Sequence, residues 1–214
     1  MCNFAQSLFL FYYQAMKKQV VVIHGGDTFD TYEEYIAYLK ASELTLERMN
    51  AKSWKDNLQS NLPDFEVIYP KMPNAKNARY LEWKIWFEKL FPLLDDTVVL
   101  VGHSLGGIFL AKYLSENNFP KKIASMHLVA PPYDTEVCKD SLTDFALTGT
   151  VEKLANYTNN IFLYQSKDDV VVPFADALKY KRDVPSVILV QFEDRGHFLQ
   201  EEFPEIIQNI KSFS

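Results

Sequence analysis

Cysteine is nearly absent: Cys2 and Cys138 are the only two in 214 residues, far apart and in neither a C-x-x-C pair nor a Cys/His cluster. That excludes a disulfide scaffold and a thiolate metal site, and points to a reduced, cytoplasmic setting. Glycine is scarce at seven and proline stands at ten, with no Pro/Ser/Gly-rich linker and no internal repeat, so collagen-like and low-complexity organisation is excluded. Long apolar runs are missing too. The stretch Leu8 to Tyr13 is far short of the roughly 18 residues a span requires, and it lacks the flanks of a signal peptide. Basic stripes are also lacking, since 22 Lys+Arg face 28 Asp+Glu for a net charge of −6. Neither a nucleic acid nor a membrane is an expected partner. Lys17-Lys18 and Lys121-Lys122 read as solvated ends of buried elements.

What is present is a regular alternation. Six β-branched runs read as strands: Val20 to Ile23, Phe65 to Tyr69, Thr97 to Val101, Ile123 to Val129, Ile161 to Tyr164 and Val187 to Phe192. Their continuous apolar character suits a parallel sheet covered on both faces. Between them, helical spacing predicts helices over Tyr32 to Lys40, Trp54 to Asn61, Ala78 to Phe91, Ile108 to Asn117, Phe174 to Arg182 and Glu205 to Ser212. Asp30 with Glu33 resembles a capping box, and Ser53 is a candidate cap for the second helix. The expected organisation is an extension over residues 1–15 before Met16, then one α/β domain over 16–214. The segment 28–52 lengthens the first crossover and reads as a lid, a subunit contact or plain surface.

The chemistry concentrates where the third strand ends. Thr97 to Val101 runs straight into Gly102-His103-Ser104-Leu105-Gly106-Gly107 and then into a helical pattern, which is G-x-S-x-G in a strand-turn-helix context. So sharp a turn presents a serine hydroxyl above the sheet edge, and side chains at the flanking glycines would crowd it.

A serine hydroxyl is a weak nucleophile until a base takes its proton, and a histidine base needs a carboxylate to hold its tautomer. Of four histidines, His24 and His103 flank glycine turns and His127 falls inside an apolar strand, leaving His197 in the loop after the last strand. Between serine and histidine, Asp168 and Asp169 follow the fifth strand and compete as the carboxylate; Asp194, close to His197, is a weaker third candidate. Tyr133, Phe145, Phe174 and Phe198 are candidates for an apolar acyl site or for ordinary core.

The Gly102–Gly107 motif, Asp168-Asp169 before Val172-Pro173, and Gly196-His197-Phe198 together resemble an α/β-hydrolase, and among these the small serine hydrolases of the retinoblastoma-binding protein nine type. The resemblance runs from about Gln19 to the C-terminus. It implies a six-stranded, mostly parallel sheet in the order 2-1-3-4-5-6 with helices on both faces. It also implies catalytic Ser104, Asp169 and His197, with Asp169 chosen by its spacing to Pro173, and an oxyanion hole from the N–H of Leu105 and that of Gly26 in His24-Gly25-Gly26-Asp27, with Gly25 and Asp27 as alternatives. The implied function is hydrolysis of a small-molecule carboxylic ester, with thioester or amide as variants, through an acyl-enzyme and without cofactor or metal. A protein-interaction module on the same fold, with little turnover, is the alternative. The long first crossover departs from the compact members and borders the expected pocket.

Overall fold

The structure is a computed structural model, and it describes residues 17–134 and 141–214. The segment 1–15, Met16 and both cysteines lie outside the described residues. Among the described residues six strands form one sheet: β1 (Lys18–Ile23), β2 (Phe65–Ile68), β3 (Thr97–His103), β4 (Lys122–Val129), β5 (Ile161–Ser166) and β6 (Ile188–Phe192). Their order is β2-β1-β3-β4-β5-β6, as the resemblance implied, and every pairing is parallel. Seven helices accompany them among the described residues: α1 (Tyr32–Ala41), α2 (Leu46–Asn50), α3 (Leu58–Asn61), α4 (Tyr80–Glu88), α5 (Leu105–Glu116), α6 (Phe174–Asp183) and α7 (Pro204–Phe213).

Alternate residues of a strand point to opposite faces, and here each face carries its own core. Val21, Ile23, Val98 and Leu100 pack with Trp83 and Phe87 of α4, Ile108 of α5 and Tyr180 of α6. Val20, Val22, Val99 and Val101 pack with Trp54, Leu58 of α3, and Ile206 and Ile210 of α7. Burying both faces explains why the central strands are apolar without alternation. The edge strands β2 and β6 are only partly buried.

Two local expectations need correction. The capping box of α1 is built by Thr31 and Glu34, one residue on from the Asp30/Glu33 reading: Glu34 N–H donates to Thr31 Oγ1 at 3.2 Å, and Thr31 N–H returns the bond to Glu34 Oε2. Thr31 takes the extended conformation that an N-cap needs, and this selects the register. Ser53 caps no helix. Its N–H and Oγ–H both donate to Asp56, stabilising a turn over residues 54–57, and helical geometry begins only at Leu58.

His127 lies within β4 as a fully buried residue, hydrogen-bonded to Tyr164 Oη at 2.9 Å and Ser125 Oγ at 3.0 Å and stacked on Phe162. Burial disfavours its imidazolium and pulls the pKa from 6.5 down to about 3. The unfolded chain therefore takes up this proton first, and folding stability falls as pH drops below 6.5 toward 3. Between pH 6.5 and 5 this residue is expected to cost about 1 to 2 kcal/mol. Denaturant unfolding at pH 6.5, 6 and 5 checks it: His127→Gln should show a shallower decline than the parent, and an equal slope would refute the assignment.

The strand order also locates a crevice. From β1 the chain crosses to β2 on one side and then returns to β3 on the other, so the connections leaving β1 and β3 diverge at their C-terminal ends. Open parallel sheets bind ligands at such a switch point. The loop Gly25-Gly26 and the turn at Ser104 both sit there.

Candidate active site

Ser104 occupies the single residue between β3 and α5, with φ 54° and ψ −122°. A positive φ is unfavourable for a residue with a side chain, by about 1 to 3 kcal/mol, and persists only where the surroundings impose it. Here the Ser104 N–H donates to Val129 O at 2.8 Å on the neighbouring strand, while its carbonyl accepts from Gly107 and Ile108 as α5 begins. The glycines permit the approach. A Cβ on Gly102 would stand 2.5 Å from Gly106 O, and one on Gly106 would stand 2.3 Å from Ile23 O of β1.

His197 stands on the loop after β6. Its Nε2 is 2.9 Å from Ser104 Oγ, and its Nδ1 is 2.8 Å from Asp169 Oδ2. With Nδ1–H donating to the carboxylate, Nε2 is the acceptor for the serine O–H. The Asp169 side chain is fully buried and that of His197 only 11% exposed, so water competes little for this chain of bonds. Asp169 is itself held: its Oδ1 accepts from Val171 N–H at 2.8 Å and Val172 N–H at 3.0 Å, and its Oδ2 accepts from Gln165 Nε2 at 3.3 Å.

The structure thus separates the two neighbouring aspartates. Asp168 instead binds the loop that carries the imidazole, accepting from Gly196 N–H at 2.9 Å and Ser166 Oγ at 2.5 Å. Those bonds, the Ser166 one foremost, hold its carboxyl below the usual range. The Ser166 hydroxyl accepts in turn from Arg195 N–H, and Trp54 Nε1 donates to Phe198 O at 2.9 Å. The histidine loop is therefore fastened on both sides of His197. Asp194 enters none of these bonds among the described residues.

Leu105 is the first residue of α5, so its N–H has no intrahelical partner. It opens beside Ser104 at the helix N-terminus, where negative charge is favoured. Of the candidates on the first loop, Asp27 is already engaged, its N–H donating to Ala75 O at 2.8 Å. Gly26 and Gly25 both line the same cavity as Ser104 and Leu105. Close packing explains the glycines: a Cβ on Gly26 would meet Ala75 O at 2.7 Å, and one on Gly25 would meet the Ser104 Cβ at 3.1 Å.

The cavity measures about 490 Å³, a size suited to a small ligand. Leu142, Val171, Val172 and Leu199 supply its apolar wall, and Thr28, Phe29 and Tyr38 reach it from the long first crossover. None of the four aromatics weighed for an acyl site is among its lining residues. Tyr133, Phe145 and Phe198 are buried in the core instead, and Phe174 opens α6.

Sequence reasoning missed Lys55. This buried lysine lines the cavity, with Nζ 3.3 Å from His103 Nδ1 and 4.8 Å from the Trp54 ring centre. His103 Nε2–H donates to His197 O at 2.9 Å, which leaves Nδ1 as the acceptor for the ammonium. Burial foremost, then the charges of Lys55 and His197, keeps the His103 imidazole well below its ordinary pKa. His103 is thus a neutral spacer between Lys55 and the histidine loop. His24 is also pinned as a neutral tautomer, with Nδ1–H on Gly25 O and Nε2 accepting from Met72 N–H, and burial lowers its pKa.

The chain is also similar to known proteins. The family model described as serine hydrolase matches residues 46–209. Serine hydrolase RBBP9 of Rattus norvegicus is 25% identical over 74% of this chain and 83% of its own length. Putative hydrolase YdeN of Bacillus subtilis (strain 168) is 25% identical over 87% of this chain and 89% of its own. Among solved structures, the ydeN gene product from B. subtilis superposes with a TM-score of 0.74 at 20% identity, covering 92% of this chain and 98% of that one. The meta-cleavage product hydrolase from Pseudomonas fluorescens IP01 gives a TM-score of 0.63 at 15% identity, with 92% of each chain covered. The last two likenesses speak for the fold.

Proposed function

Because the chain belongs to the serine hydrolase family, we propose that it cleaves a small carboxylic ester through an acyl-enzyme, with Ser104 as nucleophile, His197 as base and Asp169 as its orienting carboxylate. The observation that carries this reading is the unbroken chain Ser104 Oγ, His197 Nε2, His197 Nδ1, Asp169 Oδ2, with contacts of 2.9 and 2.8 Å. In the proposed sequence His197 Nε2 takes the Ser104 proton as Oγ attacks the ester carbonyl carbon. The tetrahedral oxyanion is received by the N–H groups of Leu105 and Gly26, worth about 3 kcal/mol for each well-aimed donor. The C–O bond to the alcohol then breaks, and His197 gives its proton to the departing oxygen. Water attacks the acyl carbon, His197 again accepts the proton, and Ser104 is released with the carboxylic acid.

Throughout, Asp169 stabilises the imidazolium without taking its proton. Thioesters and activated amides fit the same steps with a different leaving atom. The test is labelling by a fluorophosphonate, which phosphonylates an activated serine. The wild-type protein is expected to label on Ser104, Ser104→Ala not at all, and His197→Ala at least 100-fold more slowly, in line with the ~10²–10⁴ contribution of a positioned base. A folded protein whose Ser104 ignores the probe would favour an interaction module without turnover.

A further inference from the structure

Three acidic or basic side chains other than histidine are among the residues lining the cavity: Asp27, Lys55 and Lys76. Lys76 and Asp27 pair with each other at 3.0 Å. Lys55 has no carboxylate partner among the described residues, although it is the buried member of the three. Its neighbour in sequence, Asp56, is turned to the Ser53 N–H and hydroxyl. A buried ammonium without a carboxylate in contact is costly to hold, and burial, only partly offset by the nearby Asp56 charge, pulls this one from 10.5 to about 8. At neutral pH it nonetheless remains predominantly protonated.

An ammonium has three donors. One faces His103 Nδ1 and the Trp54 ring covers another side, which leaves the side toward the cavity. His103 immediately precedes Ser104, and its ring centre is 5.1 Å from that of His197. This ammonium, with no carboxylate in contact among the described residues, is therefore one imidazole away from the serine and histidine.

Resting on the hydrolase reading, we infer that Lys55 is a substrate-binding residue and that the ester cleaved here carries a carboxylate, which pairs with the Lys55 ammonium while the ester carbonyl lies on Ser104. A single ammonium suits a single negative charge, so a monocarboxylate fits better than a polyphosphate, and the cavity of about 490 Å³ sets a small size. The bound carboxylate supplies the contacting ion-pair partner that the described residues do not.

The experiment uses two isosteric pairs, one placing the charge on the acyl side and one on the alcohol side. Methyl hydrogen succinate is compared with methyl 4-oxopentanoate, and acetoxyacetate with acetoxyacetone. In each pair the quantity read is the ratio of kcat/KM for the anionic over the neutral ester, so that any general loss of activity cancels. The wild-type ratio is expected to exceed about 10 for at least one pair and to fall about tenfold or more in Lys55→Met, while Lys55→Arg, which keeps a charge, retains a preference for the anion.

A second arm needs no turnover. Calorimetric titration of the same four compounds into Ser104→Ala should show tighter binding of the anion than of its isostere, and adding Lys55→Met should erase the difference. Ratios unchanged in Lys55→Met would overturn the inference. So would a parallel loss on both members of a pair, which would make Lys55 a positioning residue acting through His103. Failure of the calorimetric arm overturns the Lys55 assignment alone, whereas a Ser104 inert to fluorophosphonate overturns the hydrolase reading.

Discussion

Replacing Ser104 by alanine is expected to lower kcat, on any ester the parent protein cleaves, by about 10⁴-fold or more, the range seen when an activated nucleophile is removed. The expectation follows from what the hydroxyl alone supplies. The covalent intermediate disappears, while the N–H groups that receive the oxyanion, the cavity walls and the His197–Asp169 pair remain in place. Residual turnover would then come from water attacking a bound and polarised ester. Because the serine holds a positive φ of 54°, alanine inherits the same strained backbone, and the loss of one hydrogen bond to His197 is the main structural change. The thermal midpoint should therefore shift by only a few degrees. Steady-state kinetics with a chromogenic ester, alongside a melting curve, checks both halves. Loss of less than tenfold in a folded variant would mean that another group is the nucleophile.

The second large effect distinguishes two adjacent residues of identical chemistry. Asp169→Asn is expected to lower kcat about 10⁴-fold, because an amide N–H₂ turned toward Nδ1 favours the tautomer with its proton on Nε2, which can no longer accept from Ser104. Its Oδ1 contacts with the Val171 and Val172 N–H groups should survive, so the fold stays intact. Asp168→Asn is expected to cost less than about tenfold, since both of its partners, Gly196 N–H and Ser166 Oγ–H, are donors that an amide oxygen still satisfies. Kinetics of both variants at one pH, with circular dichroism to verify folding, makes the comparison. The reverse ranking would remove Asp169 from the proposed mechanism.

Much of the architecture was legible in the chain because its causes are local. Runs of β-branched residues without alternation mark strands buried on both faces, and all six appear where expected with ends shifted by at most two residues. The turn at Ser104 was equally legible, since Gly102 and Gly106 stand at the two points where a Cβ would strike backbone. Capping was less so. Asp30/Glu33 and Thr31/Glu34 satisfy nearly the same pattern, and only the backbone angles of Thr31 decide between them.

Amino-acid order by itself determined the alternation of strands and helices and the sharp turn presenting Ser104, because each depends on side chains only a few positions apart. Tertiary structure alone decided that the Asp27 N–H is already taken by Ala75 and that Lys55 stands buried beside His103. These depend on where residues tens of positions apart meet at the C-terminal ends of β1 and β3. Such meetings are set by the packing of the whole sheet and leave no periodic trace in the chain.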